Sequence, residues 1–190
     1  MLYLTRHGQT ALNCAGRLQG RLDSDLTALG QRQAHHVGQK LQSILGNTDV
    51  TLWVSPLGRA QQTAAIIGDY LQVSQRITDP RLAEIGLGDW EGMTMEDIEF
   101  THPGALEGSG PYDWAYRAPS GEPREAFYSR LKDWLGEIET KASICVAVSH
   151  GWSGMGLRSI YTDLPFEDVT AKGDSHEAVF EFAKGTVRER

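Results

Sequence analysis

The sequence predicts a three-layer α/β/α sandwich around a mostly parallel central sheet, and two observations carry that expectation. Along the 190 residues, stretches favouring extended structure alternate with stretches of helical periodicity. Parallel sheets built from strand–helix–strand units have this pattern. In addition, two apolar strands end alike: Leu2-Tyr3-Leu4-Thr5 runs into Arg6-His7-Gly8, and Ile144-Cys145-Val146-Ala147-Val148 runs into Ser149-His150-Gly151. Two imidazoles released in this way point to one edge of one sheet. Ligands of open α/β sheets bind at the carboxyl ends of the strands.

After the first strand, residues 9–25 read as a polar loop punctuated by Gly16-Arg17, Gln19-Gly20 and Arg21. Thr27 is a favoured N-cap for a helix. Gly30, Ala34, Val37, Gly38, Leu41, Ile44 and Leu45 give that helix an apolar stripe, and its small members allow close approach to the sheet. Residues 51–54 form a short strand. Ser55-Pro56 then opens a second helix, with Ser as cap and Pro in the first turn, and Ala60, Ala64, Ile67 and Leu71 face inward. Residues 76–92 read as irregular. The stretch 93–121, with Pro103, Pro111, Pro119 and several glycines, is expected to be a lid or insertion within one domain spanning 1–190. Long loops in compact domains tend to cover or bind something. A long helix follows from about Pro123, with Phe127, Leu131, Trp134, Leu135 and Ile138 on one face. The second His-Gly strand comes next, then a helix over 152–161, a strand over 178–182, and a turn at Gly185 into a short last strand.

Composition narrows the function. Lys plus Arg is 18 against 25 Asp plus Glu, a net charge of −7, which disfavours a general nucleic-acid or anionic-membrane surface. An anionic substrate would need a local arginine cluster. Cys14 and Cys145 do not make a disulfide framework, and no apolar run approaches membrane-spanning length. Met1 leads directly into the first strand, so no signal peptide is expected and a cytoplasmic setting fits.

Five side chains carry the chemistry. A neutral imidazole at His7 is a competent nucleophile, and Arg6 beside it offers a fork of donors that matches a phosphoryl face. Either alone would be ordinary polarity at a strand end. Arg59 shifts the weight, because a cation in the first turn of a helix opposes the helix dipole unless an anion faces it. His150, followed by the permissive Gly151, could donate to a phosphoryl oxygen in the transition state. Glu84 supplies what such a site otherwise lacks, a carboxyl able to protonate a leaving oxygen and later activate water. Asn13 and Gln19 are weaker candidates as uncharged donors. His35, His36, His102 and His176 receive no role, and no His or Cys spacing suggests a metal.

Taken together, Arg6-His7-Gly8, Asn13, Gln19-Gly20, Leu26-Thr27 with Gly30, and Ser55-Pro56-Leu57-Gly58-Arg59-Ala60 resemble the histidine phosphatase superfamily. Glu84, Asp89-Trp90-Glu91-Gly92, Pro119-Ser120-Gly121-Glu122 and Ser149-His150-Gly151 continue the likeness, which runs from residue 2 to about 160. The branch resembled includes cofactor-dependent phosphoglycerate mutases and many small phosphatases. The resemblance implies a phosphoglycerate mutase-like fold, a phosphohistidine on His7, and Glu84 as general acid and base. It also implies a phosphate pocket of Arg6, His7, Asn13, Gln19, Gly20, Arg59, His150 and Gly151, with no metal and no cofactor. The expected activity is phosphomonoester hydrolysis on a small phosphorylated metabolite. Sugar phosphates, nucleotides, phosphoglycerates, a cobamide-precursor phosphate and phosphoproteins all suit the pattern, and no signature of oligomeric state stands out. Phosphoglycerate mutase is the alternative, and a catalytically weak phospho-ligand binding or regulatory protein is the alternative from another class. Two departures bear on the choice. The mutases resembled are longer and carry an Arg-X-Tyr stretch soon after their acid, whereas Glu84 runs into Ile85-Gly86-Leu87-Gly88. Bulky Trp152 follows His150-Gly151 and either narrows the substrate pocket or packs outward. In the lid, Tyr112, Trp114, Tyr116 and Arg117 are candidates for substrate choice.

Overall fold

The computed structural model describes residues 1–110, 112–170 and 175–190, with Thr170 by its backbone alone, so Pro111 of the expected lid lies outside the described residues. In chain order the elements are β1 (Leu2–Arg6), α1 (Ala11–Cys14), α2 (Ala28–Leu45), β2 (Asp49–Val54), α3 (Gly58–Gly68), β3 (Gln72–Thr78), α4 (Met95–Thr101), α5 (Arg124–Glu139), β4 (Ile144–Ser149), α6 (Gly151–Thr162), α7 (Phe166–Thr170), β5 (Val179–Ala183) and β6 (Thr186–Glu189). The six strands form one sheet in the order β3-β2-β4-β1-β5-β6. The first four are parallel, and β5 and β6 close one side antiparallel.

Alternation along the strands divides the core into two layers. Leu2, Leu4, Trp53, Cys145, Ala147, Phe180 and Phe182 face α5 and α6, packing with Phe127, Leu131, Trp134 and Leu157. Tyr3, Val50, Leu52, Val54, Val146, Val148 and Val179 face α2 and α3, packing with Val37, Leu41, Ala60, Ala64 and Ile67. A period-two pattern buried on both sides yields a sheet with helices on both faces. The three-layer α/β/α arrangement is therefore present as expected. β1 leads to α2 on one face and its neighbour β4 leads to α6 on the other, so a topological switch point lies between them.

Several local expectations need correction. The loop after β1 contains the single-turn α1, closed by a capping box between Thr10 and Asn13. Ile44 is 39% exposed, outside the buried stripe of α2, and Leu71 falls beyond the end of α3. Ser55 does not cap α3, which starts at Gly58. The capping acceptor comes from elsewhere in the chain: the Asp23 carboxylate accepts from the Gly58 and Arg59 N–H groups. Part of the stretch read as irregular belongs to β3, an edge strand in which only Val73 and Ile77 are half-buried, so the apolar alternation that reveals inner strands is missing. The stretch 93–121 holds α4 and a 3₁₀ turn, Trp114–Arg117, where no regular structure was expected.

Candidate active site

The site is built from strand ends. β1 and β4 pair in register from Leu2↔Cys145 to Arg6↔Ser149, so the next residues, His7 and His150, emerge side by side. Their ring centroids are 5.1 Å apart, and the two residues are 2% and 1% exposed. β2, on the far side of β4, leads into Ser55 at the same edge.

The hydrogen bonds assign a proton to each imidazole. His7 Nδ1 lies 2.8 Å from the Gly8 carbonyl, which can only accept, so Nδ1 carries the proton and Nε2 keeps its lone pair. The Arg59 Nε–H donates to that lone pair at 3.2 Å. His150 Nε2 lies 2.6 Å from Ser55 Oγ. That hydroxyl oxygen also accepts from the Leu57 N–H, and among the described residues its own proton has no acceptor but Nε2, so the pairing that leaves fewest groups unsatisfied sends that proton to the imidazole. Neutral His150 then carries its proton on Nδ1, which is buried without a partner. A buried donor with nothing to bond is costly unless a ligand arrives to accept from it.

Arg59 is 1% exposed and lies in the first turn of α3. Its Nη1 donates to the Leu22 carbonyl at 2.7 Å and its Nη2 to the Gly20 carbonyl at 2.8 Å. Asp23 Oδ1 lies 3.4 Å from Nη1 and also accepts from the Arg59 backbone N–H. Loop 9–25 thus holds the guanidinium against His7. Arg6 ends β1, and its charge, with that of Arg59, acts on both imidazoles.

Glu84 is buried at the N-terminus of α6, where it accepts from the Trp152 N–H at 3.2 Å and the Ser153 N–H at 3.0 Å. It stands close enough for its charge to act on the Arg59 guanidinium. Gly151 opens α6 directly behind His150. Asn13 and Gln19 both spend their side-chain oxygens on Thr10, which leaves their N–H₂ groups as the ends able to donate. Gly20 has φ +53°, and a Cβ there would meet the Glu91 carboxylate at 2.4 Å.

The lid candidates divide. Trp152 packs against the lid aromatics, its ring 5.5 Å from Trp114, 5.8 Å from Tyr116 and 5.2 Å from Phe166. Beside this cluster a cavity of about 400 Å³ is lined by Tyr112, Asp113, Tyr116, Arg124, Tyr128 and Phe166, among others. Arg117 instead donates to the Glu107 carbonyl at 2.7 Å, within the lid itself. Among the described residues no group of three or more His, Cys, Asp or Glu could hold a metal ion. No described helix is long and apolar enough to cross a membrane.

Sequence reasoning missed four residues of this site. Ser55 follows an apolar strand just as His7 and His150 do, and that shared position was the available signal. Asp23 and Thr63 carried none. His176, which was given no role, lies 5.6 Å from the His7 ring and bonds the His7 carbonyl. β5 runs antiparallel to β1, so the residues before β5 return to the edge where β1 ends.

Electrostatics keep the imidazoles neutral. Burial first, then the charges of Arg6 and Arg59, holds His7 well below its ordinary 6.5. Burial, then Arg59, His7 and Arg6, does the same to His150. Burial and then Arg6 bring His176 down to about 4. A neutral nucleophile in a field of two guanidinium groups suits attack on an anionic centre.

A buried imidazole with an unprotonated Nε2, a second with an orphaned N–H, and two arginines at the switch point form an arrangement able to receive a phosphoryl group. The family comparison agrees: the model of the histidine phosphatase superfamily (branch 1) matches residues 2–173, and the chain belongs to that superfamily. Among individual relatives, a Yersinia enterocolitica protein named "Probable phosphoglycerate mutase GpmB" is 44% identical over 170 residues, 86% of this chain and 75% of the relative. With other Yersinia proteins of that name the match spans 98 residues and 43% of their length. Of solved structures, Bacillus stearothermophilus YhfR superposes with a TM-score of 0.81 at 29% identity, covering 99% of this chain and 94% of that one. A mycobacterial glucosyl-3-phosphoglycerate phosphatase superposes at 0.76 and 28% identity, covering 100% and 95%.

Proposed function

We propose that this protein is a metal-independent, cytoplasmic phosphomonoesterase that works through a phosphohistidine on His7. The observation that carries the reading is the orphaned His150 Nδ1–H beside an unprotonated His7 Nε2, with Arg59 bonded to His7 and its charge acting on both rings. A phosphoryl group between them gives the buried donor its acceptor and the nucleophile its target. In the first step His7 Nε2 attacks phosphorus, the ester P–O bond breaks, and Glu84 gives a proton to the leaving oxygen. In the second, water attacks phosphorus, Glu84 takes its proton, and the P–N bond breaks. Arg6, Arg59 and His150 hold the three equatorial oxygens throughout, with Asn13, Gln19, Gly20 and Gly151 completing the pocket wall. Each lost charge-stabilising donor is expected to cost on the order of 10²–10³ in rate. The lid over 93–121, part of a single 1–190 domain, chooses a small phosphorylated metabolite through Tyr112, Tyr116 and the cavity beside them.

The 44% identical relative named as a probable mutase favours a second reading, phosphoglycerate mutase. The stretch after Glu84 supports hydrolysis instead, since Ile85 and Leu87 are 0% and 4% exposed and face the core, with no Arg-X-Tyr to meet a second anionic group. The test is a panel of phosphate esters, with and without a chelator, on wild type and His7→Ala. An acid-labile phosphoenzyme in wild type, loss of turnover in His7→Ala and indifference to chelation are expected. Turnover surviving in His7→Ala excludes the nucleophile assignment, and isomerisation of phosphoglycerate outpacing hydrolysis gives the mutase reading.

A further inference from the structure

The peptide unit joining His7 to Gly8 is gripped from both ends. Its carbonyl accepts from His176 Nδ1 at 2.6 Å, and its N–H donates to Thr63 Oγ1 at 3.1 Å. Thr63 Oγ1 donates onward to the Arg59 carbonyl at 2.8 Å. The next carbonyl, Gly8 O, is the one that accepts from His7 Nδ1. Rotation of the 7–8 peptide therefore moves the group that sets the tautomer and direction of the His7 ring.

We propose that His176 is a positioning residue for the nucleophile: by donating Nδ1–H to the His7 carbonyl it locks the 7–8 peptide, and through Gly8 O it holds His7 Nε2 unprotonated and aimed into the pocket. The inference rests on the reading of His7 as nucleophile. Three observations support it. A carbonyl only accepts, so a neutral His176 must place its single N–H on that bond. The segment carrying it is stitched to β1 a second time, since Thr5 Oγ1 donates to the Ala178 carbonyl at 3.0 Å. The imidazole also packs against the His7 ring at a centroid distance of 5.6 Å, close enough to restrict it. A catalytic ring displaced by even 1 Å loses much of its rate.

The test separates donor from packing. His176→Phe keeps a ring and loses the N–H, whereas His176→Asn keeps an N–H able to reach a carbonyl. Single-turnover phosphorylation of His7 by p-nitrophenyl phosphate is followed in both, in wild type and in Thr63→Val, with circular dichroism to establish folding. His176→Phe is expected to phosphorylate about tenfold more slowly with KM changed by less than about twofold, and His176→Asn to recover most of the rate. Thr63→Val combined with His176→Phe should lose less than the product of the two single losses, because both grip one peptide. Wild-type phosphorylation in His176→Phe, no advantage of Asn over Phe, or independent losses in the double variant would each overturn the inference while leaving the phosphohistidine reading intact. Absence of any phosphoenzyme in wild type, or turnover in His7→Ala, removes that reading and the positioning role with it.

Discussion

Replacing Gly8 by alanine tests how tightly His7 is seated. An ideal Cβ at Gly8 would lie 2.2 Å from the Gly30 carbonyl oxygen, 2.8 Å from its carbon and 3.0 Å from its Cα. All three are backbone atoms near the start of α2, so no side chain can turn aside, and the loop or the helix must shift by about 1 Å to reach ordinary contact. Overpacking of this kind costs about 1–3 kcal/mol, or a Tm lowered by roughly 3–10 °C in a domain of this size. The activity loss is expected to be larger in proportion. Gly8 O holds the His7 ring, and a displacement of about 1 Å costs on the order of 10²-fold in rate. Scanning calorimetry and kcat on p-nitrophenyl phosphate measure the two effects. A variant that melts with wild type and keeps more than about half its kcat would show that the close approach of Gly8 to Gly30 does not seat the site.

Ser55→Ala should lower kcat by about tenfold and cost about 1–3 kcal/mol of stability, because it removes the buried hydroxyl that directs the His150 proton to Nδ1 and accepts from the Leu57 N–H; unchanged kcat would refute that tautomer assignment. Stability should fall on acidification. His7, His150 and His176 have folded-state pKa values below 6.5, so below that pH the unfolded chain binds protons the native protein does not. Each site then removes about 1.4 kcal/mol per pH unit until its folded pKa is reached, near 4 for His176. Urea midpoints at pH 7.5, 6 and 5 read the slope, which His176→Asn should lower; a flat profile contradicts the neutral burial of these rings. Trp152→Ala should cost about 3–4 kcal/mol through lost packing on Trp114, Tyr116 and Phe166 while its backbone N–H still reaches Glu84. Its signature is a lower Tm with a larger change in KM than in kcat, and an unaltered Tm argues that the aromatic cluster does not anchor the lid.

The parts legible in the sequence are those where pattern and position coincide. β1 and β4 were readable because apolar runs end in His-Gly, and α5 because Phe127, Leu131, Trp134, Leu135 and Ile138 recur at helical spacing and are all buried. β3 was not, since an edge strand built from Gln72, Ser74, Gln75 and Arg76 carries no buried face to announce it. The start of α3 was misplaced because its capping group, Asp23, lies 35 residues away and only tertiary structure brings it to Gly58. His176 was passed over for a related reason. A residue ahead of a late strand looks remote from Arg6-His7-Gly8 until the strand direction is known, and antiparallel pairing with β1 reverses that inference. The contacts of Trp152 are not legible in the sequence either, since its partners Trp114 and Phe166 sit on separate segments.

The place of β1 in the sheet also governs how the chain can be made. Its two neighbours are β4 and β5, so during synthesis β1 has no hydrogen-bonding partner in the sheet until residue 144 follows. At about 5–20 residues per second that is a wait of roughly 7–30 s for an apolar Leu-Tyr-Leu segment. The pocket at its tip stays incomplete through that interval, for His150 has not yet been synthesised. A nascent form lacking β4 is consequently expected to be inert toward phosphate esters and to expose the apolar side chains of β1.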